Sequence, residues 1–155
     1  MNIFTSLFNR LLLITVISYF PCSLWAASTH PVMAERNYFH FAIPEYHTAR
    51  QSGQTVNIHV KYAYKAGLPS AEYPDYRILR SRILKYMEPS DEFPADVYWE
   101  ILAAQMGKEL MNDFPLEGIS IQLTVLDNPN PDSYEPGDHG PVYTAGNIEP
   151  LDVHP

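Results

Sequence analysis

Glu100 is the residue whose type and surroundings best fit recognition of a small flat ligand. It follows Trp99 near the start of a predicted helix, and Ala103, Ala104 and Gly107 stand three, four and seven positions further on. Small residues on the same helical face let another backbone or a flat ring come close. A carboxylate there can accept two parallel N–H bonds from an amidine-like ring edge. The alternative is a solvated glutamate favoured by the field of the helix start.

The spacing of the other candidate residues gives less support to metal binding, calcium binding or nucleophilic catalysis. The histidines, among them His40, His47, His59 and His139, form no His-x-His or His-x-x-x-His pair, so we expect no metal and no other cofactor. Residues 128–132, Asn-Pro-Asn-Pro-Asp, imitate a calcium loop but lack its glycine and closing glutamate. The sequence has no Gly-x-Ser-x-Gly elbow and no phosphate-cradling glycine loop.

Alternating and helical periods predict the elements that position these residues. Alternation of apolar and polar residues predicts strands over residues 37–43, 54–64 and 119–125, with a short last strand at 142–144. Between the second and third strands the period becomes helical. Asp75 caps a first helix with an apolar stripe, and a second helix starts with Pro94 in its first turn and ends at Phe114-Pro115. The stripe of the first helix consists of Tyr76, Leu79, Ile83 and Tyr86.

The element order predicts an α+β fold. The order ββααββ is most simply satisfied by a four-stranded antiparallel sheet with two helices on one face. We expect this domain to cover residues 37–148, after a flexible leader at 27–36 and before a loose tail at 149–155.

The composition describes a single acidic globular domain. The chain has 155 residues, 46% hydrophobic and 18% charged, which suffices to bury a core. Its formal charge of −8, from 10 Lys and Arg against 18 Asp and Glu, argues against a nucleic-acid binder. Most basic residues lie between Arg50 and Lys85, whereas from Glu88 onward Lys108 is the only Lys or Arg. This segregation favours self-complementary contacts between copies, or else ordinary solvated faces.

Residues 1–26 are typical of a secretory signal peptide. Arg10 precedes an apolar run at 11–20, and Ala26-Ala27-Ser28 follows. The run is shorter than the ~20 residues of a membrane-spanning helix, so a membrane anchor is the weaker alternative. We expect an exported protein, periplasmic or secreted, that is free of the membrane after cleavage. The only cysteine, Cys22, lacks the small residues that precede a lipidated cysteine, and a single cysteine excludes a disulfide framework.

Several short pieces of the sequence occur in a characteristic order. They are Gly53-Gln54, Asp75-Tyr76, Trp99-Glu100-Ile101-Leu102-Ala103, Leu126-Asp127-Asn128-Pro129-Asn130-Pro131, Pro136-Gly137 and Gly140. Together they resemble dihydroneopterin aldolase and its epimerase relatives, which are members of the tunnelling fold (T-fold). The resemblance covers roughly residues 37–147, and it implies a ring of identical subunits with sites between them, and work on pterin precursors of folate without a metal.

The resemblance also implies roles for particular residues. Glu100 corresponds to the glutamate that holds the exocyclic amino group and adjacent ring N–H of the pterin, and Tyr76 to the active-site tyrosine that takes part in proton transfer. The catalytic lysine of the family normally precedes the acidic-Asn-Pro segment, where this chain has Leu126. The first-hairpin glutamate corresponds to Ala49. Loss of a positioned base typically costs about 10²–10⁴ in rate, so binding can outlive catalysis.

Three hypotheses follow. The first is an exported, oligomeric protein that binds a pterin- or purine-like heterocycle through Glu100, with Tyr76 nearby and no aldolase turnover. The second is a working aldolase or epimerase in which Lys61, Lys65 or another group replaces the missing base. The third is a structural or interaction module that kept the sheet and lost the small-molecule site.

Overall fold

The structure, a computed structural model, describes residues 36–126 and 137–153. The chain divides into two units, and all described residues belong to the second, which runs from Met33 to Pro155. The predicted signal peptide, nearly all of the leader and the calcium-like segment 128–132 lie outside the described residues. Within the described residues, no helix is both long and apolar enough to cross a membrane.

Four strands and two helices follow one another in the predicted order. The strands form one antiparallel sheet in the order β1-β2-β3-β4, which confirms the predicted α+β fold with its four-stranded antiparallel sheet and two helices. The elements are β1 (Tyr38–Thr48), β2 (Gln54–Tyr64), α1 (Tyr76–Met87), α2 (Trp99–Asp113), β3 (Leu116–Val125) and β4 (Val142–Gly146).

The core lies between the sheet and the two helices. Because side chains alternate along a strand, β2 and β3 each turn one apolar row toward the helices. α2 packs across β3 and β4, and α1 packs beside α2. The fully buried contributors include Ile58 and Val60 from β2, Ile121 from β3, Ile83 from α1 and Leu102 from α2.

The helix starts differ from each other. Asp75 caps α1 as predicted, since its carboxylate accepts a 2.9 Å hydrogen bond from the Arg77 backbone N–H. The second helix begins at Trp99 and not at Pro94, which corrects the prediction. The carbonyl of Ala95 accepts a 3.0 Å hydrogen bond from the Gln51 N–H, so the segment before the helix is bonded to the β1–β2 turn.

β1 is longer than its alternation suggested. The strand continues to Thr48 through a bulge between Ile43 and Tyr46, where Glu45 has a φ of 50°. The Glu45 N–H donates to Asn57 Oδ1 at 2.8 Å, outside the regular ladder. A proline at position 44 interrupts the sequence pattern, and the bulge accommodates it.

The segment after β4 lies on the sheet face that turns away from the helices, which we call the polar face. The Leu151 N–H donates to Ser120 Oγ at 2.9 Å, and the Val153 N–H donates to Gln122 Oε1 at 3.1 Å. The predicted loose tail is therefore bonded as far as Val153. Its backbone pairs with side chains, an arrangement that leaves no periodicity in the sequence. The polar face carries Asn57, His59 and Lys61 from β2 and Ser120, Gln122 and Thr124 from β3.

Candidate functional site

Glu100 is an exposed carboxylate on a fixed helix start. It occupies the first turn of α2, next to the buried Trp99. The Trp99 indole Nε1–H donates to Gln54 Oε1 at 3.0 Å and thereby joins this turn to the start of β2. Within residues 36–126 and 137–153, the Glu100 carboxylate has no hydrogen-bond or ion-pair partner. Its acceptor oxygens are available to a ligand.

The small residues of α2 serve packing within the chain. A Cβ added at Gly107 would lie 2.3 Å from Cε1 of Tyr143, so only glycine lets this β4 ring approach. Ala103 is fully buried, and Ala104 is half-buried. The close approach expected beside the small residues is made at Gly107 by the Tyr143 ring of the same chain, and not by a second backbone or a flat ligand.

Arg50 is a buried cation that sequence reasoning missed. Its side chain is fully buried and donates only to backbone carbonyls in the described structure: Nε to Tyr86 at 2.7 Å, Nη1 to Pro94 at 2.7 Å, and Nη2 to Glu88 and Phe93 at 2.8 and 3.1 Å. Burial lowers the pKa of the guanidinium. The sequence offers no signal for this role because a basic residue in a turn is ordinarily exposed.

Leu126 lies at the same end of the sheet as Glu100. Its N–H donates to the carbonyl of Thr55 at 2.9 Å, which continues the β2–β3 pairing beyond Val125. We call the β1–β2 turn with Arg50, the start of β2, Leu126 and the first turn of α2 the Glu100 end. Position 126, to which the resemblance assigns the family's lysine, therefore lies at the end of the sheet where α2 begins, and the side chain there is apolar.

Tyr76 lies at the opposite end of the sheet. Its ring is 40% exposed and stacks on Phe39 of β1 with centroids 5.3 Å apart. Phe39 pairs with Tyr62 of β2, eight residues along the strand from Gln54. At about 3.3 Å per residue, these positions are about 26 Å apart. One copy of the chain therefore does not bring Tyr76 and Glu100 together.

The Tyr76 end is built from aromatic rings. Beyond Tyr76 and Phe39, the series continues through Tyr62, Tyr64 and Tyr73, with the last two rings stacked at 4.0 Å. The Tyr62 hydroxyl is buried and has no hydrogen-bond partner among the described residues. Burial raises the pKa of this phenol above its ordinary value. We call this series, with the start of α1, the Tyr76 end.

The two lysines considered as replacement bases lie away from Glu100. Lys61 is on the polar face, with its ammonium 5.4 Å from the centroid of the Tyr38 ring. Lys65 follows β2 and lines a depression of about 240 Å³ together with Tyr64 and Tyr73. Lys65 thus belongs to the Tyr76 end. Among all the described residues, no group of three or more His, Cys, Asp or Glu residues could hold a metal ion.

Comparison with solved structures defines the fold. The chain has a tunnelling fold of the dihydroneopterin aldolase type. It is similar to the dihydroneopterin aldolase of Burkholderia thailendensis, solved bound to guanine, with a TM-score of 0.55 and 13% identity over 77% of this chain and 98% of the other. No protein-family model matches the sequence, and no curated protein sequence matches it significantly.

Two further solved structures have lower similarity. The dihydroneopterin aldolase assigned in Vibrio cholerae O1 biovar El Tor has a TM-score of 0.49 and 14% identity over 70% of this chain and 98% of the other. A QueF-like archaeosine synthase has a TM-score of 0.43 and 8% identity over 74% of this chain and 96% of the other.

Proposed function

We propose that this chain is an exported protein that binds a flat pterin- or purine-like heterocycle without aldolase turnover. The site is shared by two copies, with Glu100 from one copy and Tyr76 from the other. The observation that carries the proposal is the Glu100 carboxylate, which is exposed, unpaired within the described chain and held on a helix start that Trp99 fixes.

The chemistry of the ligand follows from that carboxylate. Two carboxylate oxygens match two parallel N–H donors, as on the 2-amino edge of a pterin or of guanine, and such charge-assisted bonds are about twice as strong as neutral ones. The guanine in the Burkholderia aldolase supports this ligand class. The half-exposed Tyr76 ring offers an aromatic face of the kind that stacks on flat heterocycles.

The need for a second copy follows from the separation of the two residues. On β2, Gln54 lies at the Glu100 end and Tyr62 lies at the Tyr76 end. These two strand positions are about 26 Å apart. Both ends also expose apolar side chains that a neighbouring copy would bury, Tyr98 and Ile101 beside Glu100 and Ile78 beside Tyr76. The segregation of basic and acidic residues along the sequence favours such self-association.

Absence of turnover follows from position 126. Proton abstraction next to a developing carbonyl needs a base of suitable pKa within hydrogen-bond reach, and the Leu126 side chain has no titratable group. A second candidate function is turnover in which Lys65 supplies the proton-transfer group. Its depression, beside the stacked Tyr64 and Tyr73 rings, favours that candidate. Formation of product from dihydroneopterin by the wild type, lost in Lys65→Met, would select it.

Export is tested on the protein itself. N-terminal sequencing of protein recovered from the periplasm or medium should begin near Ala27, because residues 1–26 have the pattern of a cleaved signal. A protein that begins at Met1 and stays in the cytoplasm would contradict export and leave the ligand proposal intact.

The binding site is tested by fluorescence titration with neopterin, repeated with guanine by calorimetry. Saturable binding to the wild type that Glu100→Ala abolishes is the expected result. Asp96→Asn, an exposed carboxylate just before α2, is the matched control and should bind like the wild type. Equal affinity in wild type and Glu100→Ala would contradict the proposal. Absence of binding by every variant would favour the interaction module.

A further inference from the structure

Residues 147–153 form an ordered strap across the polar face of the sheet. The strap starts where the Asn147 N–H donates to the carbonyl of Glu117 at 3.0 Å. It then follows β3, with Leu151 bonded to Ser120 and Val153 bonded to Gln122. The amide of Gln122 binds Val153 through both of its ends, because its Nε2–H also donates to the Val153 carbonyl at 2.7 Å.

His59 lies next to the residue that the strap engages. His59 on β2 is paired directly with Gln122 on β3, and its side chain lies on the same polar face. Its Nδ1 atom is buried and lacks a hydrogen-bond partner within the described chain. Val153 of the strap is therefore hydrogen-bonded to Gln122, whose amide side chain lies directly opposite this imidazole on the neighbouring strand.

We propose that the strap is a pH-sensitive cover of the polar face, which is released when His59 gains a proton. A protonated imidazole donates from both ring nitrogens, and a buried donor without an acceptor is costly. Release of the strap frees Gln122 Oε1, and side chains at directly paired positions have Cβ atoms about 4.5–5.5 Å apart, within reach of each other. The strapped state therefore pairs Gln122 with Val153, and the released state pairs it with His59.

The burial of His59 sets the direction of the pH effect. Burial, and secondarily the nearby His40, lower the pKa of His59 in the strapped state. His40 stacks on His59 from β1 with centroids 6.0 Å apart, Lys61 is two residues further along β2, and the strap itself carries the exposed carboxylate of Asp152.

Because the pKa of His59 is lowered in the strapped state, the imidazole binds a proton more tightly once the strap is released. The strap therefore makes its full contribution above the ordinary histidine pKa of about 6.5 and loses it as the pH falls further.

Hydrogen exchange of the mature protein tests this inference without any ligand. The protection factors of the Leu151 and Val153 amides, corrected for intrinsic exchange rates, should fall by up to about tenfold between pH 7.5 and pH 5.5. The amide of Ile121 in β3 should stay protected at both pH values, which shows that the sheet remains folded. Equal protection of the strap at both pH values in the wild type would overturn the proposal.

Three variants assign the effect to the proposed residues. His59→Gln should keep the strap protected at both pH values, because it cannot gain a charge. Gln122→Ala should leave the Val153 amide unprotected at both, because both bonds between Gln122 and Val153 are lost. His154 follows the strap in sequence, and His154→Gln should respond to pH like the wild type. Loss of the pH response in His154→Gln, or its persistence in His59→Gln, would overturn the assignment.

Discussion

The two ends of the sheet are built by different physical means. At the Glu100 end, hydrogen bonds hold the chain, from Arg50 to the carbonyls around the end of α1 and from Trp99 to Gln54. At the Tyr76 end, aromatic rings stack on one another and one of them is left half-exposed. The difference shows that one end fixes a carboxylate in space, whereas the other offers a flat apolar surface.

These two kinds of surface are the complementary halves of a site for a flat polar ring. A heterocycle such as a pterin needs hydrogen-bond acceptors at its edge and an apolar contact on its face. In our proposal the exposed Tyr98 and Ile101 beside Glu100 are buried against the neighbouring copy, so the aromatic face of the site comes from the Tyr76 end. The separation of the halves within one copy is therefore the reason why we propose a site between copies.

Removing the hydrogen-bonded support of the Glu100 end should have the largest effect. Arg50→Met fills similar space but leaves the carbonyls of Tyr86, Glu88, Phe93 and Pro94 without their donor. We expect the free energy of unfolding to fall by about 3–5 kcal/mol, as when one partner of a buried polar network is removed. Chemical denaturation measures this loss.

Two further variants sharpen the test of Arg50. Arg80→Met, on the exposed side of α1, should stay within about 0.5 kcal/mol of the wild type. Arg50→Lys should recover only part of the loss, because an ammonium lacks the planar fork. An Arg50→Met protein as stable as the wild type would show that the carbonyls find other donors.

Neutralising the carboxylate at the same end should act on binding and spare stability. Glu100→Gln keeps the size of the side chain but replaces one acceptor oxygen with a donor, so we expect affinity for neopterin to fall about 10- to 100-fold. The free energy of unfolding should change by less than about 0.5 kcal/mol, since Glu100 is exposed. Titration and denaturation of the same preparation separate these effects, and a parallel loss of both would indicate a structural role.

The aromatic end should respond in a graded way. Tyr76→Ala removes the ring and should weaken neopterin binding by about 1 kcal/mol, or roughly fivefold. Tyr76→Phe keeps the ring and its stacking on Phe39, so its affinity should stay within about twofold of the wild type. If Tyr76→Phe binds as weakly as Tyr76→Ala, the hydroxyl and not the aromatic face would be the feature that matters.

The smallest effect tests how the Glu100 end is joined to the sheet. Trp99→Phe retains most of the buried aromatic surface and loses only the 3.0 Å indole bond to Gln54. We expect the free energy of unfolding to fall by about 1 kcal/mol, with a modest loss of neopterin affinity. Wild-type affinity in a destabilised Trp99→Phe protein would show that Glu100 does not depend on this bond.

The sequence revealed the elements whose periodicity is local. The alternation in β2 and β3 and the Asp75 cap of α1 predicted the sheet and the first helix, because each depends on residues close in the chain. The start of α2 was predicted too early, at Pro94. Its preceding segment is bonded to Arg50 and Gln51, which are more than forty positions away.

The features of the candidate site also divide into those predicted from the local sequence and those that depend on contacts with distant residues. The pattern around Trp99 predicted that Glu100 opens a helix, but Gly107 is explained by Tyr143, which lies on another strand. The distance between Glu100 and Tyr76 and the bonding of the C-terminal strap depend on sheet register and on contacts between backbone and side chains. Such contacts have no spacing rule, so they emerge only from the three-dimensional structure.

Mixing two defective variants tests the shared site most directly. Glu100→Ala and Tyr76→Ala chains are each titrated with neopterin alone, then unfolded together, refolded as a mixture and titrated again. If the site lies between copies, about one quarter of the sites in a random mixture regain both residues and bind with wild-type affinity. A mixture that binds no better than its two components would contradict a site built from Glu100 of one copy and Tyr76 of another.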